Sequence, residues 1–154
     1  MNAKPIQPVW VVDDDPLQVL VLNRMLTTHP AIGSVKFFSG AKAALDDLKA
    51  RSSEVPQLIF LDLIMSRGDG WEFLDQFKKL KGKLPEVPKI IVISSYNEDN
   101  YNKARQYAEV IGFLSKPVDK KQFEDLIQQK GRERVSDDHS IIIFNAFNVI
   151  GFCT

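Results

Sequence analysis

The octapeptide VWVVDDDP at residues 9–16 joins a continuous apolar run to three aspartates and a proline. Because the four apolar residues do not alternate with polar ones, they predict a strand buried on both faces, as in parallel sheets covered by helices. Asp15 and Pro16 suit the N-cap and the first turn of a helix. This stretch therefore predicts a strand that ends in carboxylates and leads directly into a helix.

Similar apolar runs recur along the chain. Those at residues 58–61, 90–93 and 111–114 are continuous, and a weaker run at 35–38 suits a position nearer an edge. Segments with helical spacing follow each run, so the predicted order is (βα)5. Right-handed crossovers convert this order into an α/β fold with a doubly wound, parallel, five-stranded sheet of the flavodoxin-like order 2-1-3-4-5.

The predicted helices carry start signals as well as apolar stripes. Asp69 with Glu72, and Asp119 with Gln122, have the spacing of capping boxes ahead of apolar residues. In the first helix, we expect one apolar face that contains Leu17, Leu20 and Val21.

Composition limits the class of protein. The chain has 154 residues, 20 basic and 20 acidic side chains, 44% apolar residues and one cysteine, which is typical of a single soluble domain. Zero net charge without a basic stretch argues against nucleic-acid binding, and without a run of about 18 apolar residues no membrane span is expected. Cys153 has no internal partner and the N-terminal sequence is unlike a secretion signal, so we expect a cytoplasmic protein.

Residues 131–154 differ in character from the (βα)5 unit, which we assign to residues 6–130. GRERVSDDHS at 131–140 is polar and linker-like, whereas IIIFNAFNVIGFCT at 141–154 is apolar in ten of fourteen positions. Such a surface is unusual on a free monomer, so we expect it to be covered. It either folds back on its own domain, or is an end without a signalling role, or buries its isoleucines against a second copy of the chain. We predict the last of these, a homo-oligomer.

The carboxyl ends of the predicted strands carry the polar residues that decide function. Ligands bind beyond these ends in open α/β sheets, so we expect the following residues to converge: Asp13, Asp14, Asp15, Asp62, Ser94, Ser95, Ser115, Lys116 and Pro117. Crowded carboxylates without a His or Cys cluster suit Mg²⁺ rather than zinc. The Lys116 ammonium and the Ser94 hydroxyl suit phosphoryl oxygens, for which a carboxylate is the natural acceptor.

Each of these features also has a purely structural interpretation. An aspartate run before a helix is often only a cap and a solvated turn, and isolated serines or lysines are commonly loop residues. Asp62 is different, because a carboxylate at the end of a central apolar strand is costly unless it caps or binds something. The combination of residues therefore favours a functional site.

Over about residues 6–130 the sequence resembles the receiver domain of bacterial two-component response regulators. The motifs that carry the resemblance are VWVVDDDP at 9–16, LIFLDLIMSRGDG at 58–70, IIVISSY at 90–96 and GFLSKPVD at 112–119. The resemblance implies that Asp62 is the phosphoacceptor. It also implies that Mg²⁺ is held by Asp13, Asp14, Asp62 and the backbone carbonyl of Ile64.

The same resemblance implies roles for the later motifs. Lys116 would contact the phosphoryl group. The peptide bond between Lys116 and Pro117 would be cis, which would turn the lysine ammonium back toward the site. Ser94 would be the switch hydroxyl and Phe113 the aromatic switch residue. Phosphorylation would draw Ser94 inward, and Phe113 would turn into the vacated space and reshape the face made by the fourth helix, fifth strand and fifth helix.

The sequence departs from the family pattern near the phosphoacceptor. Ser66 stands where the family usually has proline, and Gly68 where a bulkier residue is common, so we expect a less restrained loop after Asp62. Ser95 replaces the more usual alanine. Ile64 and Tyr96 are bulky and cannot orient water, so we expect slow autodephosphorylation.

The resemblance implies a stand-alone signalling protein, not an enzyme with an external substrate. It would accept a phosphoryl group from a histidine kinase or a phosphotransfer protein and act on a downstream protein target, because about 24 residues after the receiver are too few for an output domain. One alternative is a Mg²⁺-dependent phosphohydrolase, although Ile64 stands where that chemistry would place a second aspartate. The other is a phosphorylation-independent adaptor, against which the intact acidic set argues.

Overall fold

Strands and helices alternate in the computed structural model, which describes residues 4–50, 54–66, 69–95, 97–128, 134–135 and 141–143. The strands are β1 (Val9–Val12), β2 (Val35–Phe38), β3 (Leu58–Asp62), β4 (Lys89–Ser94), β5 (Val110–Ser115), β6 (Arg134–Val135) and β7 (Ile141–Ile143). The helices are α1 (Pro16–Thr28), α2 (Ala41–Ala50), α3 (Gly70–Leu80), α4 (Glu98–Ala104) and α5 (Lys120–Gln128), with a 3-10 turn at Lys81–Lys83. None of the helices in these ranges has the length and apolar character needed to cross a membrane.

The strands form one sheet in the order β2-β1-β3-β4-β5-β7-β6. Strands β1 to β5 are parallel and follow the predicted order 2-1-3-4-5, so the predicted fold class is confirmed. The predicted strand count is too low for the described sheet, because β7 and β6 continue it beyond β5 in antiparallel orientation.

The isoleucine run that we expected to contact a second copy of the chain is β7. It pairs with β5 along one edge and with β6 along the other, both within the same chain. The fold-back alternative therefore describes residues 141–143, because β5 pairs with all three residues and β6 pairs with Ile142 and Ile143. The rest of the apolar tail, residues 144–154, lies outside the described residues.

Both faces of the central strands β1 and β3 are buried, as the continuous apolar runs predicted. Trp10 and Val12 belong to the core on the face covered by α2 and α3, whereas Val9 and Val11 belong to the core on the face covered by α1 and α5. Each of these four side chains is at most 1% exposed. In the central strands β1 and β3 this two-sided burial leaves the polar residues at the carboxyl ends, where the candidate site lies.

The predicted helix starts carry the expected caps. The Asp15 side chain accepts a backbone N–H at the N-cap of α1, and the Asp69 carboxylate accepts the Glu72 N–H at 2.8 Å. Asp119 and Gln122 exchange two side-chain-to-backbone hydrogen bonds, at 2.7 and 2.8 Å, which is a complete capping box ahead of α5. These caps fix where each helix begins relative to the strand end before it.

The predicted apolar face of α1 is wrong. Gln18, Leu22 and Leu26 are buried, whereas Leu17 is 69% exposed and Leu20 is 63% exposed. Apolar residues surround the first two turns of this helix, so their spacing alone does not select the stripe that faces the sheet. The consequence is a pair of exposed leucines near the carboxyl end of β1.

Candidate functional site

Parallel register brings the predicted acidic residues together. Val12 pairs with Leu61, so Asp13 and Asp62, the next residues along, emerge side by side. Carboxylate oxygens of Asp13, Asp14 and Asp62 all lie within 4.8 Å of one another. Asp13 is 2% exposed and Asp62 is 3% exposed. The strand ends therefore form a small acidic cluster that is largely removed from water.

Lys116 adds a positive charge to this cluster. Its Nζ lies 3.0 Å from Asp62 Oδ2 and 3.9 Å from Asp13 Oδ2. Its backbone N–H donates to the Ser94 carbonyl at 2.9 Å, which continues the pairing of β4 and β5 past the end of the strand. The peptide bond between Lys116 and Pro117 is cis. The ammonium is therefore already beside the carboxylate that we predicted as the phosphoacceptor.

Burial dominates the electrostatics of Asp13. It raises the pKa of Asp13 to about 7, with a further rise from the negative charge of Asp62, against the lowering effects of the Asp15 N–H and the Lys116 charge. Within the described residues, Asp13 Oδ2 has no hydrogen-bond partner, whereas Oδ1 accepts the Asp15 N–H at 2.9 Å. A buried carboxylate oxygen without a partner is costly unless a cation offsets it. The all-oxygen donor set of the acidic cluster suits a hard divalent cation such as Mg²⁺.

Ser66 anchors the loop between β3 and α3. Its backbone N–H and its hydroxyl both donate to Asp14 Oδ2, each at 2.7 Å, and these bonds lower the pKa of Asp14. We expected a less restrained loop where the family has proline, and for Ser66 that expectation is wrong. Proline has no N–H to donate, whereas serine ties the loop to the end of β1 through two hydrogen bonds. The neighbouring residues 67–68 lie outside the described residues.

The same loop holds Ile64 and Gly70 against Asp62. The Ile64 N–H donates to Asp62 Oδ1 at 3.2 Å, and the Ile64 side chain is 63% exposed at the rim of the cluster. Gly70 donates its N–H to the Leu63 carbonyl at 2.9 Å, and a Cβ at this position would lie 2.3 Å from the Asp62 backbone oxygen. Glycine therefore lets α3 begin in contact with the end of β3. The sequence analysis missed this role, although a glycine directly after a capping aspartate was the available signal. Tyr96, predicted to flank the same approach, lies outside the described residues.

The predicted switch residues lie on β4 and β5. Ser94 ends β4 and is 3% exposed, and Ser95 beside it is exposed. Phe113 is fully buried, and its ring meets the Tyr101 ring edge-on with the centroids 6.3 Å apart. In this structure the Phe113 ring is therefore already inside the protein, before any inward turn of the kind that we expected on phosphorylation.

An irregularity in β5 explains the direction of Phe113. Ile90 pairs with Val110 but Ile91 pairs with Gly112, so β5 contains one extra residue at this point. As a result, Phe113 shares the core of Val110, on the face covered by α3 and α4, rather than the opposite core that contains Ile111. A bulge of this kind re-aims the side chains that follow it. Here it points Phe113 toward Tyr101 of α4.

Known proteins resemble this chain over most of its length. The family model described as "Response regulator receiver domain" matches residues 9–128. A probable methanogenesis regulatory protein, FilR2 of Methanothrix harundinacea, is 27% identical over 77% of this chain and 75% of its own length. An uncharacterized 14.6 kDa protein of Leptolyngbya boryana is 33% identical over 79% of this chain and 87% of its own length. The chain spans only 48% of a longer relative, the sensory transduction protein LytT of Enterococcus faecalis, to which it is 22% identical.

Solved structures agree with this assignment. The crystal structure of a response regulator receiver protein from Dyadobacter fermentans superposes with a TM-score of 0.66 at 25% identity, covering 78% of this chain and 94% of that one. A two-component response regulator from Cytophaga hutchinsonii superposes with a TM-score of 0.70 at 21% identity, covering 79% and 94% of the two chains, and shows the fold. Because the family model covers most of the chain, this protein belongs to the response regulator receiver domain family.

Proposed function

We propose that the protein is the phosphoacceptor of a two-component phosphorelay, with Asp62 as the residue that is phosphorylated. The contact that carries the proposal is the 3.0 Å approach of Lys116 Nζ to Asp62 Oδ2, inside a cluster of three carboxylates of which Asp13 and Asp62 are buried. The Asp62 carboxylate of this ion pair is buried at the strand end, and the lysine beside it supplies a positive charge where phosphoryl oxygens would lie. The protein would act in signalling and turn over no external metabolite.

The transfer step uses the residues around Asp62. A P–O bond forms to a carboxylate oxygen of Asp62 as the P–N bond of a phosphohistidine on the donor breaks, and the leaving imidazole takes up a proton. Lys116 would move from the carboxylate to an incoming phosphoryl oxygen, where its charge stabilises the developing negative charge. The Ser94 hydroxyl, at the end of the neighbouring strand, would hold a second phosphoryl oxygen.

Mg²⁺ fits the acidic cluster and completes this proposal. When bound, it would offset the negative charge that the phosphoryl group brings to the carboxylates. Oxygens of Asp13, Asp14 and Asp62 would hold it, together with the backbone carbonyl of Ile64. The support for this set is the buried Oδ2 of Asp13, which has no hydrogen-bond partner among the described residues and lies 3.9 Å from the Lys116 ammonium, and the short distances within the cluster.

Exposed apolar side chains support docking of a protein donor beside the acidic cluster. Leu17 and Leu20 on α1 and Ile64 on the β3–α3 loop are each more than 60% exposed. Apolar side chains at the rim of a polar cleft are typical of a protein-binding surface. We assign this surface to a histidine kinase or a phosphotransfer protein. A cytoplasmic location for the chain itself, which its sequence led us to expect, is part of this proposal.

Incubation with Mg²⁺ and acetyl phosphate, followed by intact mass measurement, tests the proposal. The unchanged chain should gain one phosphoryl group, and the Asp62→Asn variant should gain none. Asp69→Asn is the matched control, because Asp69 is a nearby carboxylate that caps α3 and asparagine caps equally well. An adduct that persists in Asp62→Asn would contradict the assignment. Steady turnover of unrelated phosphomonoesters would favour the phosphohydrolase, and no adduct in the unchanged chain would favour the adaptor.

A further inference from the structure

The free edge of β5 would be the natural place for another strand to dock. α4 packs on one face of the sheet through Ala104 and Tyr101, and α5 packs on the other face through Phe123 and Leu126. The edge of β5 therefore lies between the two helices. An unpaired strand edge exposes a row of backbone donors and acceptors that can template the addition of a further strand.

In this structure the chain's own C-terminal segment occupies that edge. The backbone of β7 pairs antiparallel with β5 in the register Gly112 with Ile143, Phe113 with Ile142 and Leu114 with Ile141. β7 also lies beside α5, and β6 pairs with its outer edge. The segment thus fills the surface that phosphorylation is expected to reshape.

The occupying unit is small. It consists of a three-residue strand and a two-residue strand, and a hairpin of this size is marginal without the sheet that it joins. Units with few paired residues open locally without unfolding the rest of the protein. Backbone pairing at a strand edge also accepts any extended segment with suitable side chains. β7 is therefore replaceable by another strand.

The position of β7 connects it to the candidate site. The middle pair of its register involves Phe113, whose ring contacts Tyr101 of α4. Two residues further along β5, Ser115 pairs with Ser94 of β4. A movement of Ser94 is therefore coupled to the edge held by β7 through β5, and through the contact between the Phe113 and Tyr101 rings.

We propose that β7 is a built-in competitor for the β5 edge, and that the downstream partner is a protein that adds an extended, β-branched apolar segment to this edge after β7 leaves. Any control of the exchange by phosphorylation rests on the function proposed above. The sequence of the competitor, three consecutive isoleucines, indicates the chemistry of the segment that would replace it.

Amide hydrogen exchange of the unchanged chain tests whether β7 opens locally. Exchange of the edge-facing amides among residues 112–114 should be nearly independent of low urea concentrations, whereas the amides of Val11 and Phe60 should follow global unfolding. If the edge amides share the urea dependence of Val11 and Phe60, β7 does not leave on its own and the proposal is overturned.

A labelled peptide of residues 138–146 then serves as the probe for the edge. Ile142→Pro removes a backbone donor from β7, so the chain with this substitution should bind the peptide about tenfold more tightly than the unchanged chain or Ile142→Val. Equal affinities for the three chains would overturn the proposal. Light scattering of the unchanged chain and of Ile142→Pro gives the remaining outcome. If the unchanged chain is a dimer and Ile142→Pro is a monomer, the proposal of a partner protein is overturned in favour of two copies of this chain that exchange β7.

The final arm adds Mg²⁺ and acetyl phosphate to the peptide titration. Peptide affinity should change in the unchanged chain and stay constant in Asp62→Asn. The hydrogen-exchange and peptide-binding experiments need no phosphoryl group. Their failure would overturn the proposal about the β5 edge and leave the proposed phosphorylation of Asp62 unaffected. A phosphorylated chain with unaltered peptide affinity would overturn the link between the edge and phosphorylation.

Discussion

Replacing Asp13 with asparagine should stabilise the metal-free protein, although it removes a residue of the candidate site. Burial raises the pKa of Asp13 from 3.8 to about 7 in the folded state. Between those values the folded state binds more protons than the unfolded state, so the free energy of unfolding falls as the pH rises. At 1.36 kcal/mol per pKa unit, the ionised Asp13 costs the fold roughly 4 kcal/mol above pH 7.

The asparagine side chain would carry no charge and would still accept the Asp15 N–H, but it would lose the attraction to Lys116. We therefore expect Asp13→Asn to raise the free energy of unfolding by about 2–4 kcal/mol near pH 8, and to change it little near pH 4, where the folded state keeps Asp13 protonated and the cost of its charge is absent. Urea titrations in EDTA, followed by tryptophan fluorescence, measure this difference. Asp15→Asn, at the neighbouring exposed N-cap, is the matched control and should change stability by less than about 0.5 kcal/mol.

Mg²⁺ should reverse the ranking of the two proteins. A cation that binds only the folded state stabilises it in proportion to the logarithm of its concentration. The unchanged chain should gain stability with added Mg²⁺, and Asp13→Asn should gain less because one ligand has lost its charge. A stability difference that does not grow with pH, or an Asp13→Asn variant that is less stable than the unchanged chain in EDTA near pH 8, would refute the reasoning.

Three further outcomes are expected. Gly70→Ala should lower the free energy of unfolding in urea by about 1–3 kcal/mol, because the added Cβ would meet backbone atoms at the end of β3. Gly82→Ala should not lower it, because a Cβ there would have nothing within 4 Å among the described residues. Equal losses for the two variants would count against the contact at Gly70. Ser66→Ala should raise the pKa of Asp14, because it removes the hydroxyl donor, and Ser66→Pro should raise it further, because it removes the backbone N–H as well. Carboxyl ¹³C titrations measure this pKa, and an Asp14 titration that is the same in all three chains would contradict the prediction. Combined Ile64→Asn and Tyr96→Ala substitutions should speed loss of the phosphoryl group in a mass time course, and a variant that loses it no faster would remove the proposed steric barrier to water.

Local patterns were enough to predict the parallel sheet and the acidic cluster. Continuous apolar runs determine which segments become central strands, and parallel pairing then aligns their carboxyl ends. Once Val12 and Leu61 are paired, Asp13 and Asp62 have to be neighbours. The capping residues of α3 and α5 were equally predictable, because a cap depends on residues within one turn.

Features that depend on tertiary context were not predictable in this way. The bulge between Val110 and Gly112, which turns Phe113 toward α4, leaves no mark in the apolar pattern of β5. The bonds from Ser66 to Asp14 join residues 52 positions apart, so the change from proline to serine was interpreted as a loss of restraint. The pairing of β7 with β5 likewise depends on which sheet edge is free, and a short apolar run does not carry that information.

The residue that receives a phosphoryl group from a small donor decides whether Asp62 is the phosphoacceptor. After incubation with acetyl phosphate, borohydride reduction converts an aspartyl phosphate into homoserine, whose position tandem mass spectrometry identifies. We predict homoserine at position 62 in samples with Mg²⁺ and its absence in samples with EDTA. Modification at another residue, or modification of Asp62 that is independent of Mg²⁺, would contradict the assignment of the acidic cluster as a Mg²⁺-dependent phosphorylation site.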